Sequence, residues 1–532
     1  MIRRRDLLAA ALAGGGLSMI ATSPAGASAA GAHTRRARAV RFDRNPFTLG
    51  VAAGYPTRDG CVLWTRLAPE PLALDARESV GGSEIAGLGA ADIELDWELA
   101  DDPGFARLRR RGRARAEAAY AHSVHLTLRG LPAGREYFYR FRAGDFESPV
   151  GRTWTAAPAG REDLRLRIGV ASCQHYEQGH YHAWADMAAR SPDLVLHLGD
   201  YLYEGNTANP VRRHDVGECE TLTEYRLRHA WYRSDPRLQA AHAACPWIVT
   251  HDDHEVDNDY AGLQSENPAE QRGFAARRAA AYQAYYEHLP LPRWAAPGPA
   301  GMRLHGSSGF GSLLALHMLD SRQYRSPQAC PAPPRVGGSR VYVDECPSWH
   351  EPARSMLGAA QERWIDAQLR ASRARWNLLA QGVVFTLVDE DPGPREQHWN
   401  DSWAGYPAAR ERLLRSIAAS GAQRPVMLGG DIHAFIAADQ RLGEPIVASE
   451  LVTTSISSGP PPRKVIEAYN REKGHVHFAD GDHRGYLWLE LSAARLEAKM
   501  LGFDSVRETT AAPARPLAAF TIEADRPGLQ RG

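Results

Sequence analysis

The chain has 532 residues, and its 63 lysines and arginines balance 63 aspartates and glutamates, so the formal net charge is zero. That length exceeds what one hydrophobic core usually serves and predicts two to four domains. Neutrality excludes a global field that would gather nucleic acid or anionic lipid, and no run offers the ~20 continuous apolar residues of a membrane helix.

The N-terminus, MIRRRDLLAAALAGGGLSMIATSPAGASAAGA, places Arg4 and Arg5 before Asp6-Leu7-Leu8, a weakly apolar stretch and small-residue cleavage candidates near Ala27 and Ala29. Residues 1–30 are similar to a twin-arginine export signal. The alternatives are an ordinary secretory signal or an anchor helix, and the glycines and short apolar length disfavour the anchor. A periplasmic or secreted protein using the twin-arginine export machinery is therefore expected, with no transmembrane segment in the mature chain.

After an arginine-rich joint near residues 30–42, residues 46–157 carry short alternating segments: CVLWTRL, IELDWEL, HSVHLTL, EYFYRFR and GRTWTA. Period-two patterning between Gly and Pro turns predicts an N-terminal antiparallel β-sandwich. LRGLPAGREYFYRFR also resembles a fibronectin or immunoglobulin-like corner. TAAPAGRED reads as the linker.

From Leu164 to about residue 525, apolar runs alternate with amphipathic stretches such as YHAWADMAARS, TEYRLRHAWYR and LGAAQERWIDAQLRASRA, which predicts an α/β domain. Its expected strands are LRLRIGVAS, DLVLHLGD, PWIVTHDD, SLLALHMLD, WNLLAQGVVF, PVMLGGD, ELVTTSIS and YLWLEL. Six cysteines in an exported chain permit disulfides. Cys330 and Cys346 flank a loop with no evident element of its own and are expected to pair; Cys219 with Cys245 is a second candidate, and Cys61 reads as a buried strand residue.

Several of these strands end in polar clusters: Ser172-Cys173-Gln174-His175, Asp200 with Tyr203, Asp252-Asp253-His254-Glu255, Asp320-Ser321-Arg322, and Asp431 with His433. In open α/β sheets the functional crevice lies outside the carboxyl ends of the strands. Singly, each cluster has an ordinary reading: Asp200 as a helix cap, Cys173 as a small buried apolar residue, DDHE as a solvated turn. Brought together, so many carboxylates repel one another unless cations neutralise them.

Taken in order, ASCQ, LGDYLYE, THDDHEVDNDY, LDSRQYR and GGDIHAF, after a segment beginning LGVAAGYPTRDGCVLWTRL, resemble the PhoD family of alkaline phosphatases and phosphodiesterases within the calcineurin-like metallophosphoesterases. The resemblance runs from about residue 45 to FTIEADRPG. It implies a layered metallophosphoesterase sandwich of two mixed sheets flanked by helices, with iron(III) beside calcium at the strand ends. Carried over by motif, iron would be held by Cys173, Asp200, Tyr203 and His433. Asp200 would bridge to a second cation bound by Asp253 and Asp431, with Asn258 and Glu255 as further candidates. A trivalent ion rationalises a phenolate ligand, and carboxylate and amide oxygens suit calcium.

Two departures stand out. CQH places Cys173 where the superfamily has an acid, which leaves the role of His175 open. His251 stands where relatives often carry tryptophan, which implies a more polar pocket wall. His475 and His477 in GHVHF have ligand spacing on a strand, but a surface strand is the favoured reading.

The resemblance implies hydrolysis of small phosphate esters by in-line attack of a metal-bound hydroxide. His254 would protonate the leaving oxygen, and Arg322 would pair with a phosphate oxygen, unless it serves a structural salt bridge. A monoesterase is expected, with a phosphodiesterase or phospholipase D-like enzyme as the near alternative and an exported binding protein with structural metals as the distant one. Residues 206–219 and 326–350 are expected to shape the pocket rim.

Overall fold

Runs buried at every position set the centre of the fold. Leu194–His197 (LVLH) and Pro246–Val249 (PWIV) are continuous apolar stretches, as expected of parallel strands covered on both faces. The computed structural model describes residues 41–73, 88–161, 163–214 and 217–532, so the expected export signal over 1–30 lies outside the described residues.

The first strands are β1 (Val51–Thr57), β2 (Gly60–Arg66), β3 (Ile93–Ala100), β4 (Leu108–Ala116), β5 (Ser123–Leu128), β6 (Glu136–Ala143), β7 (Phe146–Glu147) and β8 (Gly151–Trp154). There follow β9 (Leu166–Ala171), α1 (His182–Ala189), β10 (Leu194–His197), α2 (Leu222–Arg233), α3 (Pro236–Ala244), β11 (Pro246–Val249) and α4 (Phe274–His288). The next stretch holds β12 (Gly306–Phe310), β13 (Leu314–Met318), β14 (Arg340–Tyr342), α5 (Gly358–Ala371), β15 (Trp376–Ala380), β16 (Gln397–Trp399), α6 (Pro407–Ser420) and β17 (Pro425–Gly429). The last elements are β18 (Phe435–Arg441), β19 (Ile446–Val452), α7 (Arg463–Arg471), β20 (Val476–Asp480), β21 (Arg484–Leu491), β22 (Arg495–Phe503), β23 (Arg515–Glu523) and β24 (Arg526–Arg531).

A ten-stranded sheet runs β24-β23-β22-β21-β9-β10-β11-β1-β2-β5, and a seven-stranded one runs β12-β13-β15-β17-β19-β18-β20. Both are mixed: β9, β10, β11 and β1 are parallel, as are β13, β15, β17 and β19. Alternate residues point to opposite sides. Ile168, Leu194, Leu196 and Ile248 of the larger sheet share a core with Leu316, Leu378, Val426 and Leu451 of the smaller. Their neighbours Val195 and Trp247 pack on Trp184, Tyr232, Leu238 and Tyr285 of α1 to α4. Leu379 and Met427 pack on Ile365, Leu369, Leu413 and Ile417 of α5 and α6. Helix boundaries follow local chemistry: Thr221 and Glu224 form a reciprocal capping box at α2, Asp235 caps α3 ahead of Pro236, and Gly421 ends α6 in the left-handed region.

The sandwich expected over 46–157 is not free-standing. Strands β3, β4, β6, β7 and β8 form their own five-stranded sheet. Its partner layer is the β1-β2-β5 end of the ten-stranded sheet, and Leu95, Trp97, Tyr139 and Phe141 pack against Val51, Ala53, Leu63 and Val124. Because β1 pairs in parallel with β11, the N-terminal strands continue the larger sheet, and residues 40 to 532 form one compact unit. The strand read over ELVTTSIS starts earlier, at Ile446, and ends at Val452. Thr454, Ser455 and Ser457 instead turn their hydroxyls to backbone carbonyls of His433, Ser458 and His175, which pulls the chain out of the ladder.

Cys330 and Cys346 form the expected disulfide. Cys219 and Cys245 do not pair; each is a free thiol buried in the core beneath the helices, and Cys61 is buried in β2 as read. Among the described residues no helix is long and apolar enough to cross a membrane.

Candidate metal centre

The carboxyl ends of β9, β10, β11, β13 and β17 converge, and each delivers a polar cluster. At the joint between the sheets, Ser172 after β9 bridges in parallel to Ser455 after β19, and Thr453 Oγ1 donates to Val170 O at 3.1 Å. Four non-glycine residues in these turns have positive φ: Cys173 at 57°, Asp200 at 56°, Asp431 at 68° and His433 at 57°. Such backbone costs energy for residues with a Cβ, and its concentration here marks a geometry held by the surroundings. Gly199, at φ 117°, lets the chain pass Asp252, whose backbone N would lie 2.6 Å from an added Cβ.

Cys173, Asp200 and His433 offer ligand atoms within 4.8 Å of one another, and so do Asp200, Asp253 and His254, and Asp252, Asp253 and Asp431. Tyr203 joins the first group: its hydroxyl donates to Asp200 Oδ2 at 2.8 Å and lies 3.0 Å from His433 Nε2. His433 Nδ1 donates to Gly459 O at 2.8 Å, which leaves the Nε2 lone pair facing the cluster. Ser458 donates to the Tyr203 oxygen at 2.9 Å. The phenol therefore has one proton and two acceptors competing for it.

Buried Asp200 Oδ1 and Asp253 Oδ1 have no hydrogen-bond partner. Burial, reinforced by Asp253 and Asp252 against the opposing His254, drives the Asp200 carboxyl well above the usual range. Burial and the same two aspartates do so for Asp431, and burial pushes up the Cys173 thiol and the Tyr203 phenol. Thiolate, phenolate, imidazole and carboxylates around orphaned oxygens fit cations, with the sulfur-containing set suited to a transition metal and the all-oxygen set to a hard divalent ion. Asn258 lines the same cavity, with its backbone N donating to Glu204.

His254 sits against the Tyr203 ring, 4.2 Å between centroids, and its Nδ1 bonds Glu204 Oε2 at 2.8 Å. Burial alone would lower its pKa, but Glu204, with Asp253 and Asp200 behind it, holds it well above the ordinary histidine value. The imidazole is thus aimed by a carboxylate. Glu204 is the residue that sequence reading missed here, although it stands inside the GDYLYEG motif.

Glu255 is not free to ligate. Its two oxygens accept the backbone N–H groups of Asp200, Tyr201 and Asp252 at 3.0, 2.6 and 2.8 Å, tying two site loops together. His175 uses Nδ1 to accept from Glu177 N and stacks on Tyr203 at 4.5 Å. His475 and His477 lie away from the centre, bonded to Leu387 O and Asp439 Oδ2.

Arg322 requires a correction. It is fully buried, with Nε on Asp252 Oδ1 at 2.5 Å and Nη1 on Asp401 Oδ2 at 2.7 Å, and it does not line the cavity. Behind the carboxylates it balances their charge and is out of reach of a phosphate oxygen, and Arg325 joins Asp401 from the other side. His251 is also no pocket wall: it is buried, 3.3 Å from Asp320 Oδ2.

The cavity in front of the centre measures about 410 Å³. Asp200, Asp253, His254, Asn258, Asp431 and His433 form its polar end. Of the two segments expected to form the rim, 326–350 contributes Arg340, and none of the described residues of 206–219 lines it.

The family model described as PhoD-like phosphatase matches residues 168–500, and that of the PhoD-like phosphatase N-terminal domain matches residues 31–157. Alkaline phosphatase D of Bacillus subtilis (strain 168) is 39% identical over 508 residues, spanning 93% of this chain and 83% of that protein. A solved structure described as "Structure of PhoD" is 37% identical, covers 93% of each chain and superposes with a TM-score of 0.85. On this fold, this convergence of strand ends and these matches, the chain belongs to the PhoD-like phosphatase family and is a phosphoric ester hydrolase.

Proposed function

We propose that the chain is an exported, metal-dependent phosphoesterase of the alkaline phosphatase D type that hydrolyses phosphate monoesters. The observation that carries metal dependence is the buried, partnerless Asp200 Oδ1 beside Asp253 Oδ1, which meets only Arg322 Nη2 at 3.4 Å, among thiol, phenol and imidazole donors. Iron(III) is assigned to Cys173, Asp200, Tyr203 and His433, and calcium to Asp200, Asp253, Asp431 and Asn258. Cations held there supply Lewis acidity, favouring an ionised water and absorbing charge on the phosphoryl oxygens.

The protein's own contribution is proton delivery and positioning. Glu204 holds His254 by Nδ1, so Nε2 is the edge left to donate to the leaving oxygen as the P–O bond breaks. Glu255 and the Arg322 network keep the carboxylate-bearing loops in register, so little reorganisation is left to the reaction itself. Export rests on Arg4 and Arg5 and places the enzyme in the periplasm or outside the cell.

The test is the initial rate of the exported protein on an aryl phosphate and the matching diaryl phosphate at alkaline pH with calcium, alongside metal analysis of Cys173→Ser. Monoester preference, and joint loss of iron and activity in the variant, are expected. Diester preference would move the assignment to a phosphodiesterase, and full activity with normal iron in Cys173→Ser would remove that residue from the ligand set.

A further inference from the structure

Besides its acidic end, the cavity has an apolar lining that includes Val384, Val388, Ile432, Pro461 and Val465. One arginine stands in it. Arg340 is the sole lysine or arginine among the described residues that line the cavity. It opens β14 and pairs directly across the two-stranded sheet with Trp399 of β16, with its guanidinium carbon 5.5 Å from the centroid of that indole.

Its Nε donates to Glu390 Oε2 at 2.6 Å, whereas Nη1 and Nη2 bond no described residue. A guanidinium held by one edge and laid on an aromatic face presents its two terminal amino groups as a fixed fork. Tyr469 on α7, only 5% exposed, also lines the cavity, and its phenol bonds no described residue.

The segment that carries Arg340 is anchored. The Cys330–Cys346 disulfide closes the loop around it, Gly338 N donates to Asp259 Oδ2 at 2.9 Å, and Ser339 N donates to Asn400 Oδ1 at 2.6 Å. Such anchoring places an arginine precisely enough to discriminate between ligands, which a mobile loop would not.

We propose that Arg340 is a specificity determinant that binds a second anionic group, phosphate or carboxylate, carried on the alcohol side of the ester. The preferred substrates are then phosphoesters with an anionic substituent. This rests on the phosphoesterase reading above. Among the described residues, Arg340 is the one cationic donor that the wall offers such a substituent, beside the neutral Tyr469 phenol, and a neutral substituent leaves the fork unpaired in a half-buried site. Because Glu390 already cancels the charge of Arg340, selectivity comes from directed hydrogen bonds and not from net field, so a modest preference is expected.

The test measures KM and kcat for alkanediol bisphosphates of increasing chain length against the matching hydroxyalkyl phosphates, with ω-carboxyalkyl phosphates to separate the two anions. At the length that spans the cavity, the doubly anionic ester should have a KM lower by roughly tenfold, the scale of one charge-assisted hydrogen bond, after correction for two equivalent ends. Arg340→Gln should abolish that ratio and Arg340→Lys should keep part of it. A wild-type series without any doubly anionic preference, or a preference that survives Arg340→Gln, overturns the assignment. If the wild type turns over none of the esters, the phosphoesterase reading itself fails.

Discussion

His254 and Arg322 both stand beside Asp253, yet one faces the cavity and the other lies behind it. The difference makes separable predictions. His254→Ala should slow an alkyl phosphate by about 10²- to 10⁴-fold in kcat, the usual contribution of a positioned acid. It should slow a 4-nitrophenyl phosphate far less, because that leaving group departs without a proton; equal losses on both esters would remove His254 as the acid. Arg322→Met should leave Asp252 buried without its cation, and Asp401 with Arg325 alone, and cost about 3–5 kcal/mol of stability, read as a lowered denaturation midpoint. A stable variant with only a raised KM would restore the phosphate-binding role. Sequence could locate both residues because each follows an apolar run, but it could not grade their depth. Asp401 was invisible for a different reason: it lies in a loop outside any strand-end pattern and acquires meaning only through Arg322, while Arg325, although inside LDSRQYR, shows its role only by joining Asp401.

At the scale of elements, the buried strands were legible because parallel strands read as unbroken apolar runs. Strand β4, LRRRGRARA, was not. Its outward arginines pair with acids on β3, Arg113 with Glu94 and Asp96, and Arg140 and Arg142 of β6 meet Glu98 from the far side. A strand whose exposed face is a charge ladder and whose inner face includes Gly112 against Trp97 offers no hydrophobic alternation to read. The pairing of β1 with β11 was equally hidden, since contacts between Ala53 and Pro246 leave no local periodicity. That pairing makes the N-terminal region part of the catalytic scaffold. Deleting residues 1–157 should therefore uncover the β11 edge and the Ala230 and Ala243 faces of α2 and α3, and yield aggregated protein. Recovery of a soluble, monodisperse 158–532 fragment with native melting would show that the shared sheet is dispensable.

Across the whole molecule, burial holds many histidines neutral. It lowers His125 and His317 to about 4 and His197 and His229 to about 3. Their unfolded values sit near 6.5, so below that pH the unfolded chain binds protons that the folded chain refuses. Stability is whole above about pH 6.5 and falls as pH drops toward 4, by order 1 kcal/mol per pH unit for each histidine. Melting temperatures measured from pH 7.5 to 4.5 should decline steeply, and a flat profile would mean that these rings are paired or solvated when charged.

The ten-stranded sheet also dictates when the chain can finish folding. On a ribosome the N-terminus emerges first, yet β1 waits for Trp247 and β9 for Leu487, its antiparallel partner across Val170. A half-synthesised chain thus carries β9 with its β21-facing edge still open, with a long stretch of chain to add before that pairing repays it. Vectorial synthesis leaves this enzyme unfinished until nearly its last strands are made, so its maturation depends on protection of the nascent chain.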